Sequence, residues 1–291
     1  MGKHTPPYNF GGLPERYTRE DKAKIAIVPV AFDLTSSWMA GSRFGPRALI
    51  EASAYIELYD TETQTEVVDH GVLTAPEVTA ESTQALNEKV YQAVTEQLDA
   101  GRFTVTLGGE HSVAFGAYQA HHERHENLSV LHLDAHTDRR NEFEGDPFNH
   151  ACTLRRISEL NPDILSVGIR SLDRSELEFL DFDNVWFAKD IHGALDWIPG
   201  LVGRLQPNVY LTFDLDVFDP GIMSSTGTPE PGGMDWYTAL ALLRAVIRAR
   251  TLVGFDVVEL KPVENNKAPD FMAAKLVYKL LSYIFEQKRN D

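Results

Sequence analysis

The sequence predicts an α/β fold with a mainly parallel sheet. Three observations predict it. Short apolar runs rich in Val, Ile, Leu and Phe recur along the chain, amphipathic segments separate them, and polar residues follow several runs directly. Near-continuous apolar runs suit strands covered on both faces, and alternation with helices suits parallel strands joined by crossovers.

The strands are expected at residues 24–32, 103–107, 128–133, 164–168, 185–188, 209–213 and 252–258. Between the first two lies a helical pattern over 82–98, opened by Ser82, Thr83 and Gln84, with Leu86, Val90, Ala93, Val94 and Leu98 at helical spacing. Asp235 is a capping residue for a helix running to Ala249. A last helix over 270–287 carries Phe271, Ala274, Lys275, Val277, Tyr278, Leu281 and Ile284 at helical spacing, its apolar members expected to face the sheet. With no flexible linker, composition shift or internal repeat, the 291 residues read as one domain, with a polar N-terminal arm over 1–23.

A formal charge of −16 and a pI of about 5.0 exclude nucleic acid and anionic membrane as partners, since both need basic patches. The same charge mildly favours a cationic substrate. Cys152 is the single cysteine, so no intramolecular disulfide is possible, which fits a reducing compartment. It reads as a small buried residue at the start of a helix. The first 21 residues carry Pro6, Pro7 and Pro14 and lack the apolar stretch of a secretory signal. No run approaches 18 apolar residues, so no membrane span is expected, and a cytoplasmic location is.

In parallel α/β sheets ligands bind beyond the carboxyl ends of the strands. The polar residues after the apolar runs therefore carry the functional argument. The run at 128–133 continues into Asp134-Ala135-His136-Thr137-Asp138. In extended chain, spacing of two places Asp134, His136 and Asp138 on one side. The run at 209–213 ends in Asp214-Leu215-Asp216, again two acids on one side, and the run at 103–107 leads into Gly108-Gly109-Glu110-His111-Ser112, with His111 near a helix start. Carboxylates and imidazoles suit Mn, Fe, Co, Ni or Zn rather than a soft thiolate site. So many acids converging from three strand ends repel unless cations neutralise them, and a pair of divalent ions does so while generating a hydroxide nucleophile.

These motifs resemble the ureohydrolase superfamily of arginases, agmatinases and their relatives. The resemblance also includes Gly41-Ser42-Arg43-Phe44-Gly45-Pro46, Asp214-Leu215-Asp216-Val217-Phe218-Asp219-Pro220, Thr226-Gly227-Thr228-Pro229-Glu230-Pro231-Gly232-Gly233 and Phe255-Asp256-Val257-Val258-Glu259, and it runs from about Lys24 to the C-terminus. It implies a three-layer α/β/α domain of the arginase/deacetylase-like kind. It also implies two Mn²⁺, with Co²⁺, Ni²⁺ or Zn²⁺ as substitutes, and a homo-oligomer, trimeric or hexameric. His111 and Asp138 are implied to bind one ion and His136 and Asp216 the other, with Asp134 and Asp214 bridging. Catalytic roles fall to Asp138, to Glu259 as the acceptor of the substrate guanidinium, and to His150 as a proton shuttle at the mouth. Paired acceptance of guanidinium N–H groups suits a carboxylate, and histidine titrates in the range a leaving amine needs.

The Thr-Pro-Glu-Pro-Gly-Gly segment and the loop Arg139-Arg140-Asn141-Glu142-Phe143-Glu144-Gly145-Asp146 resemble agmatinases. Glu142, Glu144 and Asp146 are expected to repel a substrate carboxylate and welcome an amine, which points to agmatine, cleaved to putrescine and urea. Glu110 stands where many members have Asp and is read as shaping the turn. Lys261, in line with Glu259 if the chain stays extended, and Arg139 and Arg140 instead suit a guanidino acid such as 4-guanidinobutyrate or 3-guanidinopropionate. Arginine, a formimino compound and an inactive metal-binding regulator complete the alternatives. His121, His122, His125, His132 and His192 are read as structural or solvated.

Overall fold

The computed structural model describes residues 6–287, so Met1 to Thr5 of the expected N-terminal arm lie outside the described residues. Eight parallel strands form one sheet: β1 (Ile25–Val30), β2 (Val72–Thr74), β3 (Phe103–Gly108), β4 (Leu128–Leu133), β5 (Ile164–Ile169), β6 (Val185–Phe187), β7 (Asn208–Asp214) and β8 (Thr251–Val258), in the order β2-β1-β3-β8-β7-β4-β5-β6. Every expected strand is present. The additional β2 is three residues long and pairs at the edge against Ile25, Ala26 and Ile27.

The described residues form nine α-helices: α1 (Glu15–Thr18), α2 (Gly45–Ser53), α3 (Thr83–Asp99), α4 (Val113–His122), α5 (Thr153–Leu160), α6 (Ala188–Ile191), α7 (Ile198–Arg204), α8 (Trp236–Ala249) and α9 (Ala268–Gln287). The Ser82 hydroxyl caps α3 by accepting from the Ala85 N–H at 3.2 Å, and Asp235 caps α8 by accepting from the N–H groups of Tyr237 and Thr238. The sheet is covered on both sides. Helices α2, α7, α8 and α9 share a core with Ile25, Ile27, Leu131, Leu133, Leu211 and Phe213, while α3, α4 and α5 share one with Val28, Val30, Val130 and Tyr210. The split follows the two-residue alternation of strand side chains.

The expectation for α9 needs one correction. Ala274, Val277, Tyr278, Leu281 and Ile284 are buried, but Phe271 in the first turn is 43% exposed. Ala273, Leu276, Leu280 and Tyr283 are buried as well, so the helix is enclosed on more than the sheet-facing side. It packs against α2 and α8 in addition to β8. No helix among the described residues is long and apolar enough to cross a membrane.

Register brings the site together. Leu107 and Phe213 both pair with Val257, and Leu133 pairs with Phe213, so β3, β8, β7 and β4 end level at the middle of the sheet.

Candidate metal centre

The residues that follow these four strand ends converge. His111 Nδ1 lies 2.9 Å from Asp138 Oδ2, 3.1 Å from Asp134 Oδ2 and 3.6 Å from Asp214 Oδ2. His136 Nδ1 lies 3.0 Å from Asp216 Oδ2 and 3.5 Å from Asp134 Oδ1. Asp134 thus turns one oxygen toward each histidine. The six residues expected from sequence lie close together: His111 beside Asp138, Asp134 and Asp214, and His136 beside Asp216 and Asp134.

The local reasons differ from simple extended alternation. Asp138 adopts a left-handed backbone, φ 48°, and so folds back toward His111. Asp214 ends β7 and accepts from the Asp216 N–H at 2.8 Å, a tight turn that places both carboxylates over the strand end. Glu259 is also left-handed, φ 66°, and its Oε1 accepts from the His111 N–H at 2.8 Å. The chain therefore does not stay extended from Glu259 to Lys261. Lys261 turns its aliphatic stem to Gly41 and does not line the cavity.

One layer below lies a polar row. Thr106, Asp256, Thr212, His132 and Ser166 pair side by side across β3, β8, β7, β4 and β5, all buried. Tyr210 and Thr212 donate to Asp256 at 2.8 Å each. With the Thr212 proton committed, its oxygen accepts from His111 Nε2 at 2.8 Å, so Nδ1 is the nitrogen aimed at the carboxylates. His132, expected to be merely structural or solvated, sits 2.9 Å from Asp134 through Nε2 and 3.1 Å from Ser166 through Nδ1. It falls within ligand range of His111 and Asp134, but both its ring nitrogens are engaged, so it orients Asp134. The signal in the sequence was a polar residue interrupting each apolar run: His132, Ser166, Thr212 and Asp256.

The donor set fits divalent cations. The buried His111 Nδ1 makes no well-formed hydrogen bond although carboxylate oxygens surround it. Burial alone would lower His111 and His136, yet the carboxylates packed against them, Asp134 and Asp138 at His111 and Asp216 and Asp134 at His136, hold both rings well above the ordinary imidazole value. Burial, then the charges of Asp216, Asp134 and Glu259, pushes Asp214 well above the carboxylate range. Burial would raise Asp134 too, but the imidazoles of His111, His132 and His136 beside it hold it well below. A cluster that draws protons onto its histidines and resists ionising Asp214 and Asp216 lacks positive charge, which two divalent ions would supply.

The Arginase family model matches residues 23–282. The chain belongs to the arginase family. It is 34% identical over 300 residues to the N(1)-aminopropylagmatine ureohydrolase of Synechocystis sp., covering 97% of this chain and 98% of that protein. It is 31% identical to the agmatinase of Bacillus anthracis, covering 90% and 92% of the two chains. The crystal structure of agmatine ureohydrolase from Thermoplasma volcanium superposes with a TM-score of 0.85 at 30% identity, covering 94% of each chain. The arginase-family fold expected from the motifs is thus present, and the chain is an amidinohydrolase, a ureohydrolase acting on guanidino compounds.

Above the cluster of acids and histidines this arginase-family chain has a cavity of about 200 Å³. His136, Asp138, Asp214, Asp216 and Glu259 form its floor, while Arg140, Phe143, His150, Asp173 and Glu176 are among the residues of its wall. The acids expected to line it do not. Glu142 and Glu144 are exposed away from it, and Asp146 is tied down by Thr83 at 2.7 Å and the Phe148 N–H at 2.8 Å. Asp173 and Glu176, after β5, line it instead, with Glu176 buried and its oxygens accepting from the N–H groups of Arg139, at 2.7 Å, and Asp173, at 2.5 Å; neither was expected from the sequence. Glu230 adds a carboxylate 3.8 Å from His136 Nε2. Arg139 is buried, with its guanidinium on the Phe179 carbonyl. Of Lys261, Arg139 and Arg140, only Arg140 faces the cavity; it stacks on Phe143 and stands 3.6 Å from Asp173.

Proposed function

We propose that this chain hydrolyses a guanidino amine, agmatine in the first instance, to urea and the corresponding amine, putrescine. The observation that carries this reading is the balance of charge at the mouth. Asp173 and Glu176 line it, Glu230 stands beside His136, and Arg140 is already matched by Asp173. A cationic tail is welcome there and a carboxylate tail is not. Glu259 has Oε1 held by the His111 N–H, which leaves Oε2 to accept from the guanidinium. His150 supplies the proton that the departing amine requires.

His111, Asp138, Asp134, Asp214, His136 and Asp216 are the proposed holders of the ions. When bound, a pair of divalent ions supplies an activated water and neutralises the acids. Imidazole nitrogens and carboxylate oxygens suit Mn²⁺ and admit Co²⁺, Ni²⁺ or Zn²⁺. With this reading go a trimeric or hexameric homo-oligomer and a place in polyamine formation in the cytoplasm, supported by the family likeness.

N(1)-aminopropylagmatine is the second reading, supported by the 34% identity to the Synechocystis sp. protein. The test is urea release by Mn²⁺-loaded protein from agmatine, N(1)-aminopropylagmatine, arginine, 4-guanidinobutyrate and 3-guanidinopropionate. Agmatine is expected to give the highest kcat/KM. A preference for the aminopropyl compound selects the second reading, and a preference for a guanidino acid sinks both.

A further inference from the structure

Glu110 is buried at the turn after β3, and neither the ligand cluster nor the cavity wall includes it. Its Oε1 accepts from the Thr35 hydroxyl at 2.6 Å and the Ser112 hydroxyl at 2.7 Å, and its Oε2 accepts from the Thr35 N–H at 2.8 Å. The Ser36 hydroxyl lies 3.5 Å from Oε2. Every partner can donate, and the Thr35 N–H can only donate, which suits an ionised, acceptor-only carboxylate.

Thr35 connects this carboxylate to the cavity. Its oxygen accepts from the His150 N–H at 3.0 Å and lies 3.1 Å from His150 Nδ1. A threonine hydroxyl has one proton, and the contact to Glu110 uses it. The hydrogen between Thr35 and the imidazole must then come from the ring.

We infer that Glu110 is a positioning residue that, through the Thr35 hydroxyl, holds His150 as its Nδ1–H tautomer and leaves Nε2 as the nitrogen that exchanges protons in the cavity. The inference rests on the reading of His150 as the proton shuttle. As the C–N bond of the guanidino carbon breaks, the amine nitrogen takes the proton from Nε2 of the imidazolium. The ring is left neutral with its Nδ1 proton on Thr35, and solvent at the mouth restores the Nε2 proton. Without the relay the neutral ring is free to hold its proton on Nε2 and to turn Nδ1 elsewhere, and a catalytic histidine in the wrong tautomer is poorly placed for transfer. The turn-shaping role read from the sequence is therefore only part of what Glu110 does.

Glu110→Gln tests the proton count. The oxygen facing the Thr35 N–H must remain an acceptor, so the new NH₂ faces the Thr35 and Ser112 hydroxyls. The Thr35 proton is then released to donate to His150 Nδ1, and the tautomer inverts. Because Glu110 adjoins His111, Thr35→Val and Thr35→Ser serve as the second pair. Neutron diffraction from Zn²⁺-loaded crystals, at a pH where the ring is neutral, should place a deuteron on Nδ1 of His150 in the native protein. In Glu110→Gln it should lie on Nε2. In solution Thr35→Val should lose roughly 10- to 10²-fold in kcat, a part of what a positioned acid supplies. KM and bound Mn²⁺ should be unchanged, and Thr35→Ser should keep most of the native kcat. A deuteron on Nε2 in the native protein overturns the inference, and so does a native kcat in Thr35→Val. Full kcat in His150→Asn would instead overturn the shuttle reading on which it rests, so the two failures are distinguishable.

Discussion

Thr212→Val is the perturbation that most directly tests the polar row beneath the candidate metal centre. Valine fills the same volume but neither accepts from His111 Nε2 nor donates to Asp256, both contacts being 2.8 Å in the native protein. His111 loses the partner that fixes which nitrogen faces the acids. Such supporting contacts change ion affinity by about 10- to 100-fold, which is about 1.4 to 2.8 kcal/mol. Two buried polar atoms also lose a partner, at a cost of about 1–3 kcal/mol each. The assay is Mn²⁺ affinity by chelator competition, with thermal melting of the metal-free protein alongside. Thr212→Val should bind more weakly by that factor and melt lower, while Thr212→Ser should stay near native in both. If Thr212→Val binds Mn²⁺ as tightly as the native protein while His111→Ala does not, the row does not orient the ligand and its supporting role is refuted.

Four further outcomes follow from the same structure. Asp214→Asn removes the carboxylate whose burial and acidic neighbours push it well up, so the metal-free variant should melt higher than the metal-free native chain and gain less from added Mn²⁺. Differential scanning calorimetry with and without chelator reads this, and a lower melting point of the metal-free variant would refute it. His121 is enclosed beside Thr104, and burial pulls its pKa down to about 3 from an ordinary 6.5. The unfolded chain takes up that proton first, so the stability conferred by a neutral His121 is complete above pH 6.5 and is lost as pH falls toward 3. Melting points measured from about pH 7 down to about pH 5, the range in which an ordinary histidine gains its charge, should thus fall more steeply for the native chain than for His121→Gln; parallel curves would show that His121 does not set the acid sensitivity. Burial raises the Cys152 thiol to about 12, so the folded protein should resist iodoacetamide at neutral pH, as mass spectrometry can show. Arg170 donates to the carbonyls of Asp216, at 2.6 Å, and Glu230, at 2.8 Å, so Arg170→Ala should weaken Mn²⁺ binding although Arg170 touches no proposed ligand side chain; unchanged binding by titration would show the loops to be held otherwise.

The cluster of acids and histidines was legible because its chemistry is local. Asp134, His136 and Asp138 adjoin one another in sequence, and each acid or histidine follows an apolar run that must end near the sheet edge. The strands were legible for the same reason, since burial on both faces leaves continuous apolar letters. What escaped depends on contacts remote in sequence. Asp173 and Glu176 reach the cavity because β5 lies beside β4, an order that no single strand encodes. The functional meaning of His132, Thr212 and Asp256 emerges only when register lines them up across the sheet. Lys261 was misdirected by assuming extended chain, and the left-handed Glu259 removes it from the cavity.

The level ends of β3, β7 and β4 have a consequence for how the protein lives. His111 and Asp214 are brought together although about a hundred residues of chain separate them, and such long closures carry a high entropic cost before any contact compensates. Ions seated among their side chains would act as a clasp across the centre of the molecule, and their binding energy would become part of the energy of folding. The supply of metal in the cell would then govern abundance as well as turnover. A chain made during metal starvation would open more often at its most acidic point, and the population of such open forms is what proteases sample.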